Sequence, residues 1–367
     1  MKEGWKYKKL KENARVQNGF AFDSKLFNEE GAGMPLIRIR DIKRGFTYTY
    51  TTENCPEDFH IKDEDLLIGM DGDFNVCSWS GGKALLNQRV CHVIPNDKLL
   101  SKFLYYFLPF PLLKINKKTA YSTVKHLSSK TVNDIDVPFL PLSEQERIVE
   151  RLDAAFAQID ELKNNAERQL AEARALFQSA LTQAMQPKPG WQEKTLPDIS
   201  ENLDSIRVPI TKKNRTTGIY PYYGASGIVD YVDDYLFDED LLCISEDGAN
   251  LLMRTYPIAF PIFGKAWVNN HAHVLRFKNL YTQKYVEYYF ESIKLDEFIT
   301  GAAQPKLTQK ALNSIIIPLP LSLDEQKSII YYLNSLSSRI IELEEISRKT
   351  AAECDAMKQA LLRQIFE

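Results

Sequence analysis

The pattern of apolar positions is most regular in two long segments of the chain. From Glu144 to Met185 there is no proline or glycine, and apolar residues recur at alternating spacings of four and three. Such a repeat, sustained over about five heptads, is typical of a coiled coil. The pattern recurs 181 residues later, so each segment predicts one long helix with an apolar seam. The large side chains predicted on the seams are Ile148, Leu152, Ile159, Leu162 and Leu176 in the first helix, and Ile329, Leu333, Leu336, Ile340, Leu343, Met357 and Leu361 in the second.

The two predicted helices are expected to pair with each other, because their seams match position by position. Two ordinary amphipathic surface helices, or a coiled coil with another molecule, are the alternatives. The short Pro187–Gly190 link places a second globular part at the end of the first helix, and the second helix then returns along the first. This connectivity predicts an antiparallel coiled coil of roughly 60 Å, with one globular part at each end and a pseudo-twofold axis between them.

Both predicted helices begin after an extended segment that contains proline. Ser143 with Glu146, and Ser322 with Glu325, fit the S-x-x-E capping box. One extra residue precedes the second helix, so Asp324 is a rival N-cap there. We therefore expect the first helix to begin at Ser143 and the second at Ser322 or Asp324.

An internal repeat extends beyond the helices. The Gly-Trp pair at residues 4 and 5 recurs at residues 190 and 191, and several positions around residue 130 recur 180 residues later. The fold class predicted is α+β or α/β, with two similar globular domains separated by two long helices that form the antiparallel coiled coil. The predicted domains are residues 1–140 and 187–320, and the predicted helical spacers are residues 141–186 and 321–367.

Three shorter elements are predicted inside the globular domains. Pro35–Asp41 alternates like a strand, whereas Phe103–Leu108 and Tyr285–Phe290 have the pattern of buried amphipathic helices or turns. The topology that joins these elements does not follow from their patterns.

Composition narrows the class of protein. The chain has 367 residues, of which 44% are hydrophobic and 26% charged, with a net charge of −3. These values exclude collagen-like, disordered and disulfide-framework proteins. No segment predicts a membrane span, and the first residues do not resemble a signal peptide. The five cysteines lack metal-ligand or CxxC spacing, so we expect reduced, mostly buried thiols in a cytoplasmic protein.

Sequence motifs for catalysis are absent. The chain has no P-loop, H-E-x-x-H or G-x-S-x-G motif, and no Asn-Pro-Pro-aromatic or Asp-Pro-Pro-aromatic tetrapeptide of an adenine methyltransferase. His271 and His273 share one side of an apparent strand. They are either metal ligands or, as we favour, part of a polar face. We expect no catalytic residue, metal or cofactor in this chain.

Charge is distributed unevenly along the chain. Residues 1–140 hold 21 Lys and Arg against 17 Asp and Glu, whereas both helices are acidic. Loops that mix basic, amide and aromatic side chains suit phosphates and base edges, although each residue alone could be a solvated surface charge. The candidate DNA-binding residues are Arg38, Arg40, Lys43, Arg44, Asn87, Gln88, Arg89, Ser122, Thr123, Lys125 and His126 in the first domain, and Lys212, Lys213, Arg215, Tyr222, Tyr223, Ser226, Asn269, Asn270, His271, Gln304 and Lys306 in the second.

The candidate loops have matched places in the two copies of the repeat. Ser122–His126 lies just before Leu127, and Gln304 and Lys306 lie just before Leu307. This placement favours a loop-borne binding site in both domains. Residues 246–250 correspond to residues 69–73, and they form either a turn near that site or simply a turn.

With the repeat and both helices identified, the chain resembles the specificity subunit of type I restriction–modification enzymes over essentially its whole length. The helix entries Val137–Ile148 and Ile317–Ile329 carry duplicated Pro-Leu and Glu-Gln elements that are rather specific to this family. Ser122–Leu127 is also typical of the first recognition domain, and Gly301–Leu307 matches the second more loosely.

The resemblance implies a division of labour. Each globular domain would read one half of a split site in double-stranded DNA, and the helices would set the gap. Two methyltransferase subunits would dock on the helices and methylate adenine from S-adenosylmethionine, and motor-nuclease subunits would cleave with ATP and Mg, while this chain binds no cofactor. The alternatives are a stand-alone coiled-coil DNA-binding or scaffold protein, and a silent specificity cassette without active partners.

Overall fold

The computed structural model describes residues 2, 4–118, 125–301 and 303–367. The chain divides into unit 1, which comprises Met1–Asn164 with Lys349–Glu367, and unit 2, which comprises Asn165–Arg348. All five cysteines are free and four of them are buried, so the prediction of reduced, mostly buried thiols is confirmed. In the described part of the chain, no helix combines the length and apolar character that crossing a membrane requires.

Unit 1 is built from short strands and a few helices. Its strands are β1 (Tyr7–Lys9), β2 (Ala14–Asn18), β3 (Phe27–Asn28), β4 (Met34–Ile37), β5 (Tyr50–Thr51), β6 (His60–Ile61), β7 (Leu66–Gly69), β8 (Val76–Ser78), β9 (Ala84–Leu86), β10 (Val90–Pro95) and β11 (Asp136–Pro138). Its helices are α1 (Ser101–Phe107), α2 (Pro109–Lys118), α3 (Ser129–Asn133) and the first part of α4 (Leu142–Ala184).

Unit 2 repeats this plan. Its strands are β12 (Gln192–Lys194), β13 (Ser200–Asn202), β14 (Thr217–Gly224), β15 (Gly227–Val232), β16 (Phe237–Asp238), β17 (Leu241–Ser245), β18 (Ala259–Ile262), β19 (Lys265–Val268), β20 (Ala272–Phe277) and β21 (Ile317–Leu319). Its helices are α5 (Leu196–Ile199), α6 (Asn250–Met253), α7 (Leu280–Ser292), α8 (Gln309–Asn313) and most of α9 (Leu323–Phe366).

Two of the three sheets correspond strand by strand between the units, and the third has one additional strand, β3, in unit 1. The four-stranded sheet β2-β10-β7-β8 of unit 1 matches β13-β20-β17-β18 of unit 2, and the pair β1-β11 matches β12-β21. The third sheet has the order β3-β5-β4-β9-β6 in unit 1 and β15-β14-β19-β16 in unit 2. In each third sheet one parallel pair, β4 with β9 or β14 with β19, brings together distant segments. The internal repeat is therefore a repeat of topology.

The inner strands β7 and β17 are buried on both faces of their sheets. In β7, Leu66 and Ile68 contribute to the core that contains α1, whereas Leu67 points into the core shared with β9. In β17, Leu242 and Ile244 likewise face one core, whereas Leu241 and Cys243 face the other. Side chains alternate between the faces of a strand, so burial on both sides produces a continuous apolar run rather than an alternating one.

Two of the three predicted short elements are confirmed and one is partly wrong. Helices α1 and α7 cover the segments predicted as buried helices. The strand predicted over Pro35–Asp41 ends at Ile37 and is followed by a 3-10 turn over Ile39–Asp41. The buried Asp41 carboxylate accepts a hydrogen bond from the Arg38 amide at 2.9 Å, which turns the chain out of the strand.

Helices α4 and α9 run antiparallel in both units. In unit 1, Ile148 and Leu152 share a core with Leu362 and Ile365. In unit 2, Leu181 shares a core with Ile329 and Leu333. The beginning of each helix thus lies beside the end of the other, which confirms the predicted antiparallel coiled coil.

At three positions of the predicted seam, the residue predicted to be buried is exposed and the next residue along the chain is half-buried. Leu162, Leu176 and Met357 are 52%, 71% and 49% exposed. The adjacent residues Lys163, Phe177 and Lys358 are half-buried instead. Phe177 is as apolar as Leu176, so the apolar pattern there fits two heptad registers. The aliphatic parts of the lysines can cover the seam while their ammonium groups reach Asp355 and Asp160.

The two helices begin differently. Helix α4 starts at Leu142, so Ser143 lies inside its first turn and the capping box predicted there is wrong. Helix α9 starts at Leu323, and the Glu325 amide donates to the Ser322 hydroxyl at 3.5 Å. Ser322 is therefore the N-cap of α9, and Asp324 is a residue of its first turn.

The duplicated Glu-Gln element has a structural role at both helix starts. The buried Gln145 side chain accepts from the Leu100 amide and donates to the carbonyls of Lys98 and Leu140, each at 2.9 Å. The buried Gln326 side chain donates to the Pro320 carbonyl at 2.7 Å. Each glutamine satisfies buried backbone groups and so fixes the helix to its own unit.

Candidate nucleic-acid interface

A tight turn at the end of β7 joins two of the predicted DNA-binding loops in unit 1. The Met70 amide donates to the Arg89 carbonyl at 2.9 Å, and the Leu127 amide donates to the Met70 carbonyl at 2.7 Å. The Gly72 amide donates to the Lys125 carbonyl at 3.0 Å. We call residues 70–72 the first acidic turn, because Asp71 lies at its centre.

The same three hydrogen bonds recur at the end of β17. The Glu246 amide donates to the His271 carbonyl at 2.9 Å, and the Leu307 amide donates to the Glu246 carbonyl at 2.8 Å. The Gly248 amide donates to the Pro305 carbonyl at 3.0 Å. We call residues 246–248 the second acidic turn. Of the two alternatives for this segment, the structure therefore shows a turn that adjoins the candidate loops.

Glycine closes both turns for a conformational reason. Gly72 has a φ of 75° and Gly248 a φ of 103°, values that side chains with a Cβ rarely adopt. An added Cβ at either position would meet nothing within 4 Å, so backbone conformation rather than space requires glycine here.

In unit 1, the acidic turn gathers basic side chains. Asp71 Oδ1 lies 2.7 Å from His126 Nδ1, and Asp71 Oδ2 lies 3.6 Å from Arg89 Nε. Just beyond the turn, Lys43 Nζ lies 3.0 Å from Asp73. Arg89 and His126 remain about half exposed, so they can reach a ligand while the carboxylate holds them.

In unit 2, the acidic turn holds a similar set. Asp247 Oδ2 lies 2.8 Å from His271 Nδ1, and Glu246 Oε1 lies 3.1 Å from Lys306 Nζ. His271 and Lys306 are again about half exposed. The sequence-predicted residues Lys43, Arg89, Lys125 and His126 thus converge in unit 1, and His271 and Lys306 converge in unit 2.

A buried ionic network lies beneath the second acidic turn. Arg207 reaches Glu246 at 2.7 Å and Asp204 at 3.3 Å. His273 is almost fully buried, with Nδ1 2.6 Å from Asp204 and Nε2 2.8 Å from the Leu307 carbonyl. Both ring nitrogens face oxygen acceptors. The network therefore anchors the backbone beside Lys306.

The network lowers the pKa of both of its carboxyl groups. Burial by itself would raise the pKa of Asp204, but the hydrogen bond and charge of His273, with help from Arg207, outweigh it. Burial likewise opposes ionisation of Glu246, and Arg207, His273 and Lys306 together bring its pKa below the ordinary value. Both groups are thus carboxylates in the folded protein at neutral pH.

Three residues of this network also have the side chains of a possible metal-ligand set. Ligand atoms of Asp204, Glu246 and His273 lie within 4.8 Å of one another. The guanidinium of Arg207 already contacts both carboxylates, and Lys306 contacts Glu246. These cations neutralise the two carboxylates, so the group forms an ion-pair network. His271 pairs with a separate carboxylate, so the two histidines do not form one ligand set.

The other candidates of unit 1 surround the first acidic turn or point away from it. The loop that carries Arg38, Arg40 and Arg44 packs so closely on Gly69 that a Cβ there would lie 3.2 Å from Ile39. Arg40 donates to Thr49, Lys125 donates to Asn116, and Gln88 is exposed. The buried Asn87 side chain accepts from the Gln88 amide and is turned into the protein. Ser122 and Thr123 lie outside the described residues.

The other candidates of unit 2 lie on two surfaces. Arg215 pairs with Asp230 at 3.0 Å and stacks over the buried Tyr222 ring, so both residues support the β14–β15 hairpin. Tyr223 stacks on Phe260, and the buried Asn269 side chain accepts from the His271 amide. The exposed candidates that remain are Lys212, Lys213, Ser226, Asn270 and Gln304.

Sequence reasoning did not assign roles to the acidic residues of the site. Asp71 and Asp247 hold the candidate side chains, and Asp204 and Arg207 support Glu246 from below. The correspondence of residues 69–73 with 246–250 was the available signal for the turns. Asp204 and Arg207 carried no signal, because isolated charges in a loop are normally solvated.

Comparisons with known proteins agree with the duplicated architecture. The family profile described as type I restriction modification DNA specificity domain matches residues 2–172 and again residues 188–353. The type I restriction enzyme EcoBI specificity subunit of Escherichia coli is 41% identical over 198 residues, which are 54% of this chain and 42% of that protein. The type I restriction enzyme MjaVIII specificity subunit of Methanocaldococcus jannaschii is 21% identical over 82% of this chain and 78% of that protein.

A solved structure shares the fold over nearly the whole chain. The match comes from a structural study of complex assembly and conformational transition in a type I R-M system, and it covers 99% of this chain and 98% of that one. The TM-score is 0.74 at 17% sequence identity, so the likeness concerns the fold alone. The match to the EcoBI subunit, in contrast, spans less than half of that relative's length.

Proposed function

Because the chain belongs to the type I restriction–modification DNA specificity family, we propose that it is the non-catalytic specificity subunit of such a system. Each unit reads one half of a bipartite site in double-stranded DNA. The observation that carries this proposal is the duplicated acidic turn, which presents Arg89 and His126 in unit 1 and His271 and Lys306 in unit 2 at matched places.

The chemistry of these side chains suits DNA. Arg89 approaches Asp71 through Nε, which leaves its terminal nitrogens able to pair with O6 and N7 of a guanine. Lys306, and an imidazole when it is protonated, can contact phosphates or base acceptors. The exposed Lys212 and Lys213 add positive charge for the backbone. Because the two units differ in these side chains, each half-site has its own sequence.

The proposal includes partner subunits. Two methyltransferase subunits bind the helices and methylate adenine from S-adenosylmethionine, and motor-nuclease subunits use ATP and Mg for cleavage, all in the cytoplasm. The large apolar side chains left exposed on the helices support docking of protein partners there. These side chains are Leu162, Leu176, Ile341 and Ile346. This chain supplies specificity and binds no cofactor.

The experiment is methylome sequencing of a host that expresses the chain with its neighbouring methyltransferase gene. A split adenine-methylated motif is expected with the chain and should vanish without it. Arg89→Ala with His126→Ala should abolish or relax one half of the motif, because these residues belong to unit 1. A matched variant, Lys9→Ala with Lys11→Ala, removes two surface charges that pair with Asp136 and Asp134 and should leave the motif intact.

Absence of any chain-dependent motif, with both proteins present in soluble form, would contradict the proposal. Sequence-independent DNA binding by the purified chain would then favour a stand-alone binding or scaffold protein. Restoration of a motif by a methyltransferase from a related system would instead identify a silent cassette whose own partners are inactive.

A further inference from the structure

Each acidic turn holds one imidazole in the same way. Asp71 contacts Nδ1 of His126, and Asp247 contacts Nδ1 of His271. The carboxylates are mostly buried, with side chains 21% and 15% exposed, whereas the imidazoles are 51% and 47% exposed. Among the described residues, Nε2 of neither ring has a hydrogen-bond partner. Each ring therefore has one nitrogen anchored to a rigid turn and the other available to a ligand.

The two units reach this arrangement with exchanged positions. In unit 1 the loop after β9 supplies Arg89, and the segment before α3 supplies His126. In unit 2 the loop after β19 supplies His271, and the segment before α8 supplies Lys306. The set of one imidazole and one permanent cation is thus common to both turns, although the loops that supply them differ. An exchange of this kind indicates that the set itself, rather than any one residue, is used.

We propose that Asp71 and Asp247 are positioning residues that determine specificity. Each fixes an imidazole, and Asp71 also holds Arg89, so that these side chains contact particular bases of one half-site. This inference rests on the proposed DNA-reading function. A cation beside a carboxylate is partly neutralised, so its attraction to an arbitrary phosphate is reduced. An anchored side chain also loses less conformational entropy on binding, which favours ligands with the matching geometry. The carboxylates thus lower the affinity for DNA of any sequence and increase the discrimination between sequences.

The test is selection of binding sites by the full chain from a library of randomised DNA duplexes, with wild type, Asp71→Asn and Asp247→Asn in parallel. Asparagine keeps the size of the side chain and an oxygen acceptor, but it removes the charge. We expect each variant to lose discrimination by about tenfold in one half-site and to keep the other half-site unchanged. Affinity for a duplex without the site should rise, and its salt dependence should steepen, because each substitution removes a negative charge beside the side chains that face DNA.

Matched controls separate this effect from a general change of charge. Asp134→Asn in unit 1 and Asp324→Asn in unit 2 remove carboxylates that pair with Lys11 and Lys327 away from the turns. Both controls should select the wild-type motif. Thermal unfolding equal to that of these controls would show that Asp71→Asn and Asp247→Asn are folded.

The outcomes distinguish the inference from the function on which it rests. If the wild-type chain selects no motif, the proposed function fails and the inference fails with it. If the wild type selects a split motif and folded Asp71→Asn and Asp247→Asn select it equally well, the inference alone is overturned. Equal loss in both half-sites from one substitution would also overturn it, since each turn is expected to act on its own half-site.

Discussion

The two acidic turns make the same backbone hydrogen bonds, but the side chains that lie beneath them differ. The second turn lies on charged residues, with Asp204, Glu246 and His273 joined by Arg207. Strand pairing places Ile68 and Cys91 of unit 1 where unit 2 has Ile244 and His273. Met70 takes the place of Glu246 and, like Cys91, belongs to the apolar core of unit 1.

This difference shows which features the turn requires. Three backbone hydrogen bonds and a glycine with positive φ are common to both turns. The side chains beneath them differ in polarity at two places, where unit 1 has Met70 and Cys91 and unit 2 has Glu246 and His273. The turn therefore depends on the strand scaffold, whereas the ionic network adds a tether from Glu246 to Lys306 that unit 1 lacks. Buried ion pairs of this kind often stabilise no more than apolar residues of similar size.

The largest expected effect comes from breaking the network at its centre. Arg207→Met leaves two buried carboxylates with only His273 between them and removes a donor to the Ala272 carbonyl. We expect unit 2 to lose about 3–5 kcal/mol of unfolding free energy. Hydrogen exchange of β17 and β20 under increasing urea measures this loss within unit 2. Arg147→Met, at an exposed arginine, should leave stability almost unchanged.

A second variant asks whether the network is needed at all. Replacing Asp204, Arg207, Glu246 and His273 together by Asn, Ala, Met and Cys removes every charge of the network and gives unit 2 the residues that unit 1 has in place of Glu246 and His273. We expect stability within about 2 kcal/mol of wild type, well above that of Arg207→Met, because no charge is left buried and unpaired. Stability as low as that of Arg207→Met would show that uncharged residues cannot replace the ionic network of unit 2.

Low pH is expected to destabilise unit 2 more than unit 1, by less than the effect of Arg207→Met. The lowered pKa values of Asp204 and Glu246 mean that their charged forms stabilise the fold. That contribution is complete above their ordinary values of 3.8 and 4.5 and disappears as the pH falls through the lower values of the folded state. Hydrogen exchange from pH 6 downward, to about pH 3, should therefore show unit 2 of wild type losing more stability than unit 2 of the fourfold variant.

Unit 1 provides an internal reference for the acid experiment. Its half-buried Asp65 also has a lowered pKa, because the hydrogen bond and charge of His92 outweigh the effect of burial. Unit 1 should thus lose some stability in acid in both proteins, and to the same extent. A change in unit 1 that accompanies the fourfold replacement would contradict the assignment of the effect to the network.

The parts of the fold that were predictable from sequence are those set by local patterns. Heptad spacing predicted α4 and α9, and matching segments predicted the repeat. The seam was wrong at Leu162 and at Leu176, and at the second of these the adjacent Phe177 is equally apolar. The sheet order was not predictable, since strands such as β4 and β9 pair across long stretches of chain.

The sequence predicted the loops that carry the candidate residues, but it did not predict which of these residues lie close together. Arg89 and His126 could be identified by type, yet only long-range contacts bring them to one carboxylate. The pairing of β7 with β10 places Arg89, and the backbone hydrogen bonds of Lys125 and Leu127 with the turn place His126. Asp204 and Arg207 look like surface charges in the sequence, and their burial depends on the complete fold of unit 2. Local chemistry therefore suggested the candidates, whereas long-range packing decided which of them act together.

The smallest expected effect concerns the two helix starts, which also differ between the units. Ser322→Ala removes the hydroxyl that accepts from the Glu325 amide at the start of α9. The contact is long at 3.5 Å, so we expect a loss of only about 0.5 kcal/mol, measured by hydrogen exchange in the first turn of α9. Ser143→Ala is the matched control, because Ser143 lies inside α4 and alanine is the better helix former there. A loss at Ser143 as large as that at Ser322 would mean that α4 begins at the serine after all.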